Sequence, residues 1–342
     1  MTDREGKRVR YPMTNFPANL AAASEQEIGA LLEPHRYELR VHCYRMLGSL
    51  EDAEDMVQET FLRAWRRRDS YAGRATLRAW LYKIATNACL DALRVRAPRR
   101  VIPQTRGAAA SVDAPIPPDV NEPIWLQPIP DEWFAPDELS PEGRIAQRES
   151  VTLAFLAALQ LLPPRQRAVL ILRDVLDWSA NETAALLDMS VPAVKSALHR
   201  ARATLAQRYE PVDSQPDSAA LAQLDAYVRA WENADIPALL TLLRSDATFS
   251  MPPIPTWYRG RAEIGRLVGK TIFAGSARGR WRLLPTRANG QVAFGLYRVT
   301  PEGRYAAYGV QVLTFDAVGA LADIITFRVP SLVGRFGLPA QV

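Results

Sequence analysis

WSANETAALLDMSVPAVKSALHRARATL, residues 178–205, contains two helix-forming segments that are separated by a short polar turn. Ser179 can cap the first segment, and Glu182 three residues later completes a capping box. Ser190 can cap the second segment, where Pro192 falls in the first turn and its missing N–H costs nothing. This punctuation predicts a helix-turn-helix.

The second of these helices has one apolar and one basic face. Its apolar positions recur at helical spacing and are Val191, Val194, Ala197, Leu198, Ala201 and Leu205. The outward face then carries Ala193, Lys195, Ser196, His199, Arg200 and Arg202. Small side chains allow close approach to a major groove, and cations can meet phosphates there. An ordinary helical hairpin with a solvated basic face is the alternative that the motif alone leaves open.

The length and the charge distribution indicate several domains and a charged partner. The 342 residues are enough for two or three domains, each with its own core. Residues 60–100 contain eleven Arg or Lys and two acids, a net charge of +9, whereas residues 101–150 contain three Arg and nine acids, a net charge of −6. A basic segment followed by an acidic one favours binding to a charged partner.

The cysteine content and the hydropathy indicate a reducing cytoplasm and no membrane partner. Only Cys43 and Cys89 occur, and no apolar run has the length of a membrane span or of a signal-peptide core. His35, His42 and Cys43 lie near one another on a predicted helix, but no second cluster supplies further metal ligands. We therefore expect helix-surface residues at these positions, no metal site and no cofactor.

Composition divides the chain into helical segments and linkers. Residues 1–19 lack periodicity and are expected to form a flexible tail. Residues 20–96 indicate consecutive helices, with a break at Asp69–Thr76. Residues 97–142 are acidic and Pro-rich and cannot bury enough apolar surface to fold alone. Helices are predicted again over 143–209, where one face combines Val151, Ala154, Phe155, Ala158, Leu159 and Leu162, and residues 210–218 form a second linker.

Two helices before residue 97 carry candidate binding faces. Ser49 is expected to cap the first with Asp52 closing a capping box, and the buried stripe of that helix is Ala53, Val57, Phe61 and Ala64. Its other face presents Asp55, Gln58, Glu59 and Leu62, a mixture that suits docking on a protein and equally a solvated face. The next helix combines Trp80, Tyr82 and Asn87 with basic residues, as single-stranded DNA recognition requires, although both aromatic residues also fit a core.

A family resemblance unites these segments. HCYRMLGSLEDAEDMVQETFLRAW (42–65) and LRAWLYKIATNACLDALR (77–94) resemble region 2 of bacterial RNA polymerase sigma factors of the extracytoplasmic-function type, a branch of the sigma-70 family. Residues 162–205 are similar to region 4 of the same family. Asp188 stands where the family usually has Gly, but Asp tolerates left-handed backbone, so the turn is expected to form.

The resemblance implies a transcription initiation factor whose partners are promoter DNA and core RNA polymerase. It implies that Asp55, Gln58, Glu59 and Leu62 bind the clamp helices of the largest polymerase subunit. It also implies that region 4 reads the −35 element with the outward face described above, and that region 2 reads the −10 element with Ser70, Tyr71, Arg74, Asn87, Arg94 and Arg96. The acidic linker would pass through the polymerase cleft as an extended strand, or would be a plain spacer. An anti-sigma protein is a further candidate partner.

The last part of the chain is predicted to be an α+β domain. Helices are expected at Ala219–Trp231, after a cap at Asp235, and at Arg261–Ile272, followed by strands with turns at Asn289-Gly290 and Pro301–Gly303. This order predicts helices on one face of a curved antiparallel sheet. DATFSMPPIPTWYRGRAEI (246–264) resembles the SnoaL-like branch of the nuclear transport factor 2-like fold, which implies a cone-shaped sheet around a pocket for a small apolar ligand. The candidate lining residues are Tyr227, Trp231, Met251, Trp257, Tyr258, Tyr297 and Tyr308.

Some SnoaL-like relatives are enzymes, so an isomerase or hydrolase fused to a DNA-binding module is the alternative function. Residues 211–342 contain no His, and most acids there fall at predicted caps, turns or strand ends, namely Asp235, Glu302, Asp316 and Asp323. Asp246 and Glu263 remain as candidate acid–base groups, and both also fit helix-end or first-turn positions. We therefore expect no catalysis and a regulatory last domain.

Overall fold

The computed structural model describes residues 24–71, 73, 75–95, 100–105, 107–120, 125–133, 150–209, 218–275 and 277–342. Some predictions concern residues outside these ranges. They are the predictions for the tail at 1–19, for Arg74 and Arg96, and for most of the linker at 210–218. The chain forms two compact units, of which the first comprises Met1–Arg99, Trp133–Ser150 and Ala158–Tyr209, and the second comprises Arg100–Glu132, Val151–Ala157 and Glu210–Val342. Within the described ranges, no helix combines the length and the apolar character needed to span a bilayer.

The first unit begins with four helices, α1 (Glu25–Leu32), α2 (Arg36–Leu47), α3 (Leu50–Arg66) and α4 (Leu77–Val95). Gly48 ends α2 with φ 70°, and the Ser49 hydroxyl then caps α3 by accepting from the Asp52 N–H at 3.2 Å. The α3 stripe is buried at Ala53, Val57 and Ala64 and partly exposed at Phe61. The predicted stripe thus forms the packing face of α3 against α2 and α4.

The expectation that His42 and Cys43 lie on a helix surface is wrong, because both are fully buried. Helix α2 packs against both α3 and α4, which leaves it with little exposed surface. His42 Nε2 lies 2.9 Å from Thr86 Oγ1, and burial lowers the pKa of His42 to about 3. The ring is therefore neutral at physiological pH. Among the described residues, no three His, Cys, Asp or Glu side chains come together in a way that could hold a metal ion.

The chain continues with α5 (Leu153–Gln160), α6 (Pro164–Leu170), a π-helical turn (Ile171–Val175), α7 (Ala180–Leu187) and α8 (Val191–Arg208). The apolar face predicted for α5 is partly wrong, since Ala154 is exposed whereas Leu156 and Ala157 are buried. Residues 153–157 pack within the second unit and residues 158–160 within the first, so α5 is not a simple amphipathic helix with one buried side.

The second unit is an α+β domain with a six-stranded sheet. Its elements are α9 (Ser218–Glu232), α10 (Ile236–Leu242), β1 (Leu243–Ser250), β2 (Trp257–Arg259), α11 (Arg261–Lys270), β3 (Trp281–Ala288), β4 (Gln291–Val299), β5 (Tyr305–Phe315), β6 (Leu321–Phe327) and α12 (Pro330–Arg335). The sheet order is β2-β1-β6-β5-β4-β3. Side chains from α9 to α11 and from one sheet face form the main apolar core, which includes Trp231, Phe249, Ile264, Phe294 and Leu313.

The turn chemistry of this domain follows the sequence, but the sheet is mixed and not antiparallel throughout. Asn289 and Gly290 both have positive φ, 57° and 73°, in the hairpin between β3 and β4. Asp235 caps α10 by accepting from the Ala238 N–H at 2.9 Å. Strand β1 pairs in parallel with β6, and β1 and β2 precede α11. Pairing between segments about 75 residues apart leaves no local periodicity that could reveal it.

Residues 100–132 belong to the second unit and are not a plain spacer in the part that the structure describes. The Ile129 N–H donates to Asn289 Oδ1 at 2.9 Å, and the Asn289 N–H donates to the Ile129 carbonyl at 3.0 Å. Leu126 and Ile129 are fully buried. The acidic segment therefore buries Leu126 and Ile129 within a unit whose main domain follows much later in the chain.

Candidate nucleic-acid and polymerase interface

Helices α7 and α8 form the predicted helix-turn-helix. The Ser179 hydroxyl and the Glu182 side chain make a reciprocal capping box at the start of α7. Asp188 ends α7 in the left-handed region with φ 52° and ψ 49°, the conformation that its position in the turn requires. Ser190 then caps α8 by accepting from the Ala193 N–H at 3.3 Å, so a side chain holds the start of the second helix.

The outward face of α8 is polar, basic and mostly exposed. Lys195, Ser196, His199, Arg200 and Arg202 are exposed, Ala193 is half-buried, and the opposite residues Val194, Ala197, Leu198 and Ala201 are buried. Arg200 Nη1 donates to Ser196 Oγ at 2.7 Å along the helix. Arg202 makes a bidentate ion pair with Asp174, at 2.7 and 2.9 Å, so its guanidinium already has a partner.

The apolar residue of the candidate docking face on α3, Leu62, is exposed to solvent. Leu62 is 49% exposed, and Asp55 and Gln58 are exposed beside it. Glu59 is half-buried and accepts from Arg63 Nε at 2.6 Å. A large apolar side chain within a rim of acidic and amide groups is typical of a protein-docking site.

The candidate −10 residues lie along α4 and in the turn before it. Tyr71 packs against Trp80 with ring centroids 5.2 Å apart, and the Tyr71 hydroxyl donates to the Ala75 carbonyl at 3.0 Å. Ser70 is exposed and Asn87 is half-buried. Arg94 is exposed and paired with Asp91 at 3.1 Å. Trp80 is partly exposed, whereas Tyr82 is buried in the core, which agrees with the alternative that this aromatic residue serves packing.

Within the first unit, helix α4 contacts the helix-turn-helix at α7 and not at the outward face of α8. Lys83 in α4 pairs with Asp188 in the helix-turn-helix at 2.7 Å, and Tyr82 packs against Trp178 with ring centroids 5.3 Å apart. Arg167 in α6 is buried and donates to the carbonyl of Met46 in α2. Sequence patterns could not predict these contacts, because each joins residues more than 80 positions apart.

The residues proposed for the C-terminal pocket do not all come together in the structure. Tyr227, Trp231, Met251 and Tyr258 belong to the main core, and Tyr308 packs against it, with its ring 5.0 Å from that of Trp281. Trp257 is partly exposed at the sheet edge. Tyr297 is not brought together with them, because its hydroxyl donates to the Pro339 carbonyl at 2.8 Å in the C-terminal segment.

The acids of the last domain mostly have structural partners. Asp246 pairs with Arg244 at 2.5 Å, and this hydrogen bond lowers the pKa of Asp246. Glu263 accepts from the Val112 N–H at 2.6 Å. Glu263 lies in the first turn of α11, as expected, whereas Asp246 lies inside β1 and not at a helix end. The lowered pKa of Asp246 is the opposite of the raised pKa that a catalytic base at neutral pH usually needs.

Asp323 differs from the sequence expectation, because it lies inside β6 and not at a strand end. Burial raises the pKa of Asp323 to about 6, against hydrogen bonds from Thr248 and Gln104 that favour the ionised form. Gln104 belongs to the acidic segment, so this carboxyl is covered by another part of the chain. Nothing in the local sequence could indicate that cover.

Family models match three parts of the chain. Residues 31–99 match sigma-70 region 2, residues 152–205 match sigma-70 region 4, and residues 224–324 match a SnoaL-like domain. The ECF RNA polymerase sigma factor SigG of Mycobacterium tuberculosis is 42% identical over 317 residues, which are 92% of this chain and 84% of the relative. SigW of Bacillus subtilis is 29% identical over 163 residues, which are 48% of this chain and 78% of that relative.

A solved structure has the same fold over nearly the whole chain. The crystal structure of the extracytoplasmic-function sigma factor SigJ of Mycobacterium tuberculosis matches with a TM-score of 0.55 and 22% identity, covering 91% of this chain and 99% of that chain. A capped helix-turn-helix with a basic face, together with the region 2 helices, defines a sigma-70-type initiation factor. The chain belongs to the extracytoplasmic-function family of RNA polymerase sigma factors. Its activity is promoter-specific initiation of transcription.

Proposed function

We propose that this sigma factor reads the −35 element through α8, reads the −10 element through α4 and the turn before it, and docks on core RNA polymerase through α3. The exposed polar and basic face of α8 on a fully capped helix-turn-helix carries the proposal. Lys195, Ser196, His199 and Arg200 are all exposed there. Their spacing on one helix face fits a major groove, and their charges fit its phosphates.

The docking face of α3 supplies the polymerase contact in this proposal. Leu62 would enter an apolar site on the clamp helices of the largest subunit, and Asp55, Gln58 and Glu59 would form the polar rim. An anti-sigma protein is a further candidate partner, since it could inhibit by covering this face. The cytoplasm is the proposed setting, because the promoter DNA is there.

The contact between α4 and the helix-turn-helix supports a closed state of the free protein. The −10 and −35 elements are named for positions about 25 base pairs apart, which is about 85 Å of duplex. While the Lys83–Asp188 ion pair joins α4 to the helix-turn-helix, the two cannot reach both elements at once. Binding to polymerase would therefore have to separate them.

The SnoaL-like domain is proposed to regulate initiation and not to catalyse a reaction. The described part of the segment that connects the two DNA-reading regions belongs to the same compact unit as this domain. A change in the domain could therefore alter how the two DNA-reading regions are arranged. A small apolar ligand in its core is the proposed signal. The alternative, an isomerase or hydrolase with a DNA-binding module, predicts no polymerase-dependent transcription in vitro from sites that the protein occupies in the genome.

Two substitutions test the separate roles of α3 and α4. Leu62→Asp should weaken core polymerase binding at least tenfold, because it places a charge in an apolar contact. Asn87→Ala should leave that affinity within about twofold and impair promoter opening, because its proposed task is to hold an extruded base. Core affinity and permanganate reactivity of the opened promoter measure the two effects.

Gln26→Ala provides a control in the same unit, since Gln26 is exposed and belongs to α1 and not to the helix that carries the proposed face. It should change neither measurement. Equal loss of core affinity in Leu62→Asp and Asn87→Ala would contradict the assignment of the two faces.

A further inference from the structure

A stretch of the acidic segment, residues 107–120, lies against the edge of the C-terminal sheet; we call it the strap. Strand β2 is the edge strand of that sheet. The Ala110 N–H donates to the Trp257 carbonyl at 2.8 Å, and Trp257 Nε1 donates to the Gly107 carbonyl at 2.9 Å. The strap thus adds one main-chain hydrogen bond and one side-chain hydrogen bond along the edge strand.

Ion pairs hold the strap on both sides of this edge strand. Asp113 accepts from Arg266 at 2.5 Å and from Lys270 at 3.1 Å, and these contacts lower the pKa of Asp113. Asp119 pairs with Arg328 at 3.1 Å. The strap is acidic and the surface beneath it is basic, so charge complementarity identifies this segment as the occupant of the surface.

The strap also covers apolar surface. Ala110 and Val112 pack against the main core of the domain and remain only partly buried. The Val120 N–H donates to the Pro253 carbonyl at 3.1 Å, which holds the far end of the strap.

The strap is attached more weakly than the residues that flank it. The Asp113 side chain is 65% exposed and the Asp119 side chain 44% exposed, and ion pairs this exposed each stabilise a contact by a factor of about 1.5 to 5. Leu126 and Ile129, by contrast, are fully buried. The strap can therefore open locally while the flanking residues stay in place.

We infer that the strap is a releasable lid on the C-terminal domain, and that a small apolar ligand gains access to the core when the Asp113 and Asp119 ion pairs open. The inference deepens the proposed regulatory function, on which its role in transcription rests. Because the strap lies in the segment between the two DNA-reading regions, ligand entry would alter that segment directly.

Hydrogen exchange of the full chain tests how the strap is held. In Asp113→Lys/Asp119→Lys, the amides of Ala110, Val112 and Val120 should exchange about tenfold faster, because three ion pairs are lost. Glu132→Lys is the matched control, since Glu132 is exposed and has no ion pair within the described residues. Unchanged exchange in the double variant, or an equal change in the control, would overturn the electrostatic attachment.

A covalent lock tests whether the strap controls access. In Asp113→Cys/Lys270→Cys, a short bismaleimide would join the strap to α11, while the native Cys43 and Cys89 are buried and protected. The probe is N-phenyl-1-naphthylamine, a neutral apolar dye that fluoresces in apolar surroundings. The locked protein should bind the dye at least tenfold more weakly than the same variant with both thiols capped by N-ethylmaleimide.

An equivalent crosslink within β1, in Arg244→Cys/Asp246→Cys, joins two residues of the same domain and should leave dye binding unchanged. Equal dye affinity of the locked and capped proteins would overturn the inference. Neither the exchange nor the dye measurement needs polymerase, so failure here is distinguishable from failure of the proposed function, which the transcription assays test.

Discussion

Arg200 and Arg202 lie two positions apart on α8 and differ in what holds them. Among the described residues, the Arg200 guanidinium hydrogen-bonds only to the Ser196 hydroxyl, whereas the Arg202 guanidinium is held bidentately by Asp174. An exposed arginine with a weak local contact can turn to a phosphate at little cost. An arginine already in a bidentate pair must first give up that partner.

Arg200→Ala should therefore weaken −35 DNA binding for all sequences and lower the salt slope by about one, as the loss of one phosphate contact does. Lys195→Ala tests the neighbouring cation in the same way. The measurement is holoenzyme affinity for −35 duplexes over a salt series. Arg202→Ala is the matched control and should change the slope less. A specificity change confined to one base pair in Arg200→Ala would show a base contact instead.

Asp323 links pH to the stability of the second unit. Its pKa is raised from 3.8 to about 6, so the folded state keeps a proton that the unfolded state releases between these values. The free energy of unfolding should accordingly fall as pH rises from about 4 to about 6, by up to about 3 kcal/mol. The side chain in Asp323→Asn is neutral at every pH, so this variant should lack this pH-dependent fall in the free energy of unfolding. Urea unfolding at pH 4.5 and 7 measures both proteins, and parallel pH dependence would contradict the assignment.

At the scale of elements, the turn between β3 and β4 joins the sheet to segments that precede it by more than 130 residues. Asn289 is fully buried, and its side chain accepts from the Ile129 N–H at 2.9 Å and donates to the Val151 carbonyl at 2.7 Å. One residue thus closes the hairpin and also positions the end of the acidic segment and the approach to α5.

Asn289→Gly separates these two tasks, because Gly accepts the positive φ but has no side chain. We expect a loss of about 2–4 kcal/mol, since two buried backbone groups lose their partners. Faster hydrogen exchange at Ile129 should accompany the lower urea midpoint. Glu302→Ala, in the exposed turn between β4 and β5, is the control and should change little. A stable Asn289→Gly protein would mean that the turn conformation alone matters.

At the scale of the whole molecule, the C-terminal domain and the acidic segment are one folding unit. Deleting residues 211–342 would remove the partner of Ile129 and expose Leu126 and Ile129 to water. We expect loss of transcription from the cognate promoter and faster proteolysis within residues 100–132. In-vitro transcription at equal protein concentration is the measurement, and hydrogen exchange of α7 and α8 shows whether the helix-turn-helix stays folded. Equal activity of full-length and truncated protein would remove the regulatory role.

The sequence by itself determined what depends on neighbours in the chain. The caps at Ser179, Ser190 and Asp235 and the turn at Asn289-Gly290 arise from bonds within a few residues, so their chemistry is readable from residue types. The exposed face of α8 follows from helical periodicity in the same way. Motifs that are specific to the sigma-70 family then identified the class of protein.

Only the tertiary structure decided where distant segments meet. Three features depend on residues that are 44 or more positions apart in the sequence. They are the burial of His42 beside Thr86, the parallel pairing of β1 with β6 and the docking of the acidic segment. Asp113 and Asp119 look like solvated linker acids in the sequence, and their partners follow them by more than 150 residues. Such contacts depend on shape and charge complementarity between separately formed elements, and local composition does not encode which partner an exposed carboxylate will find.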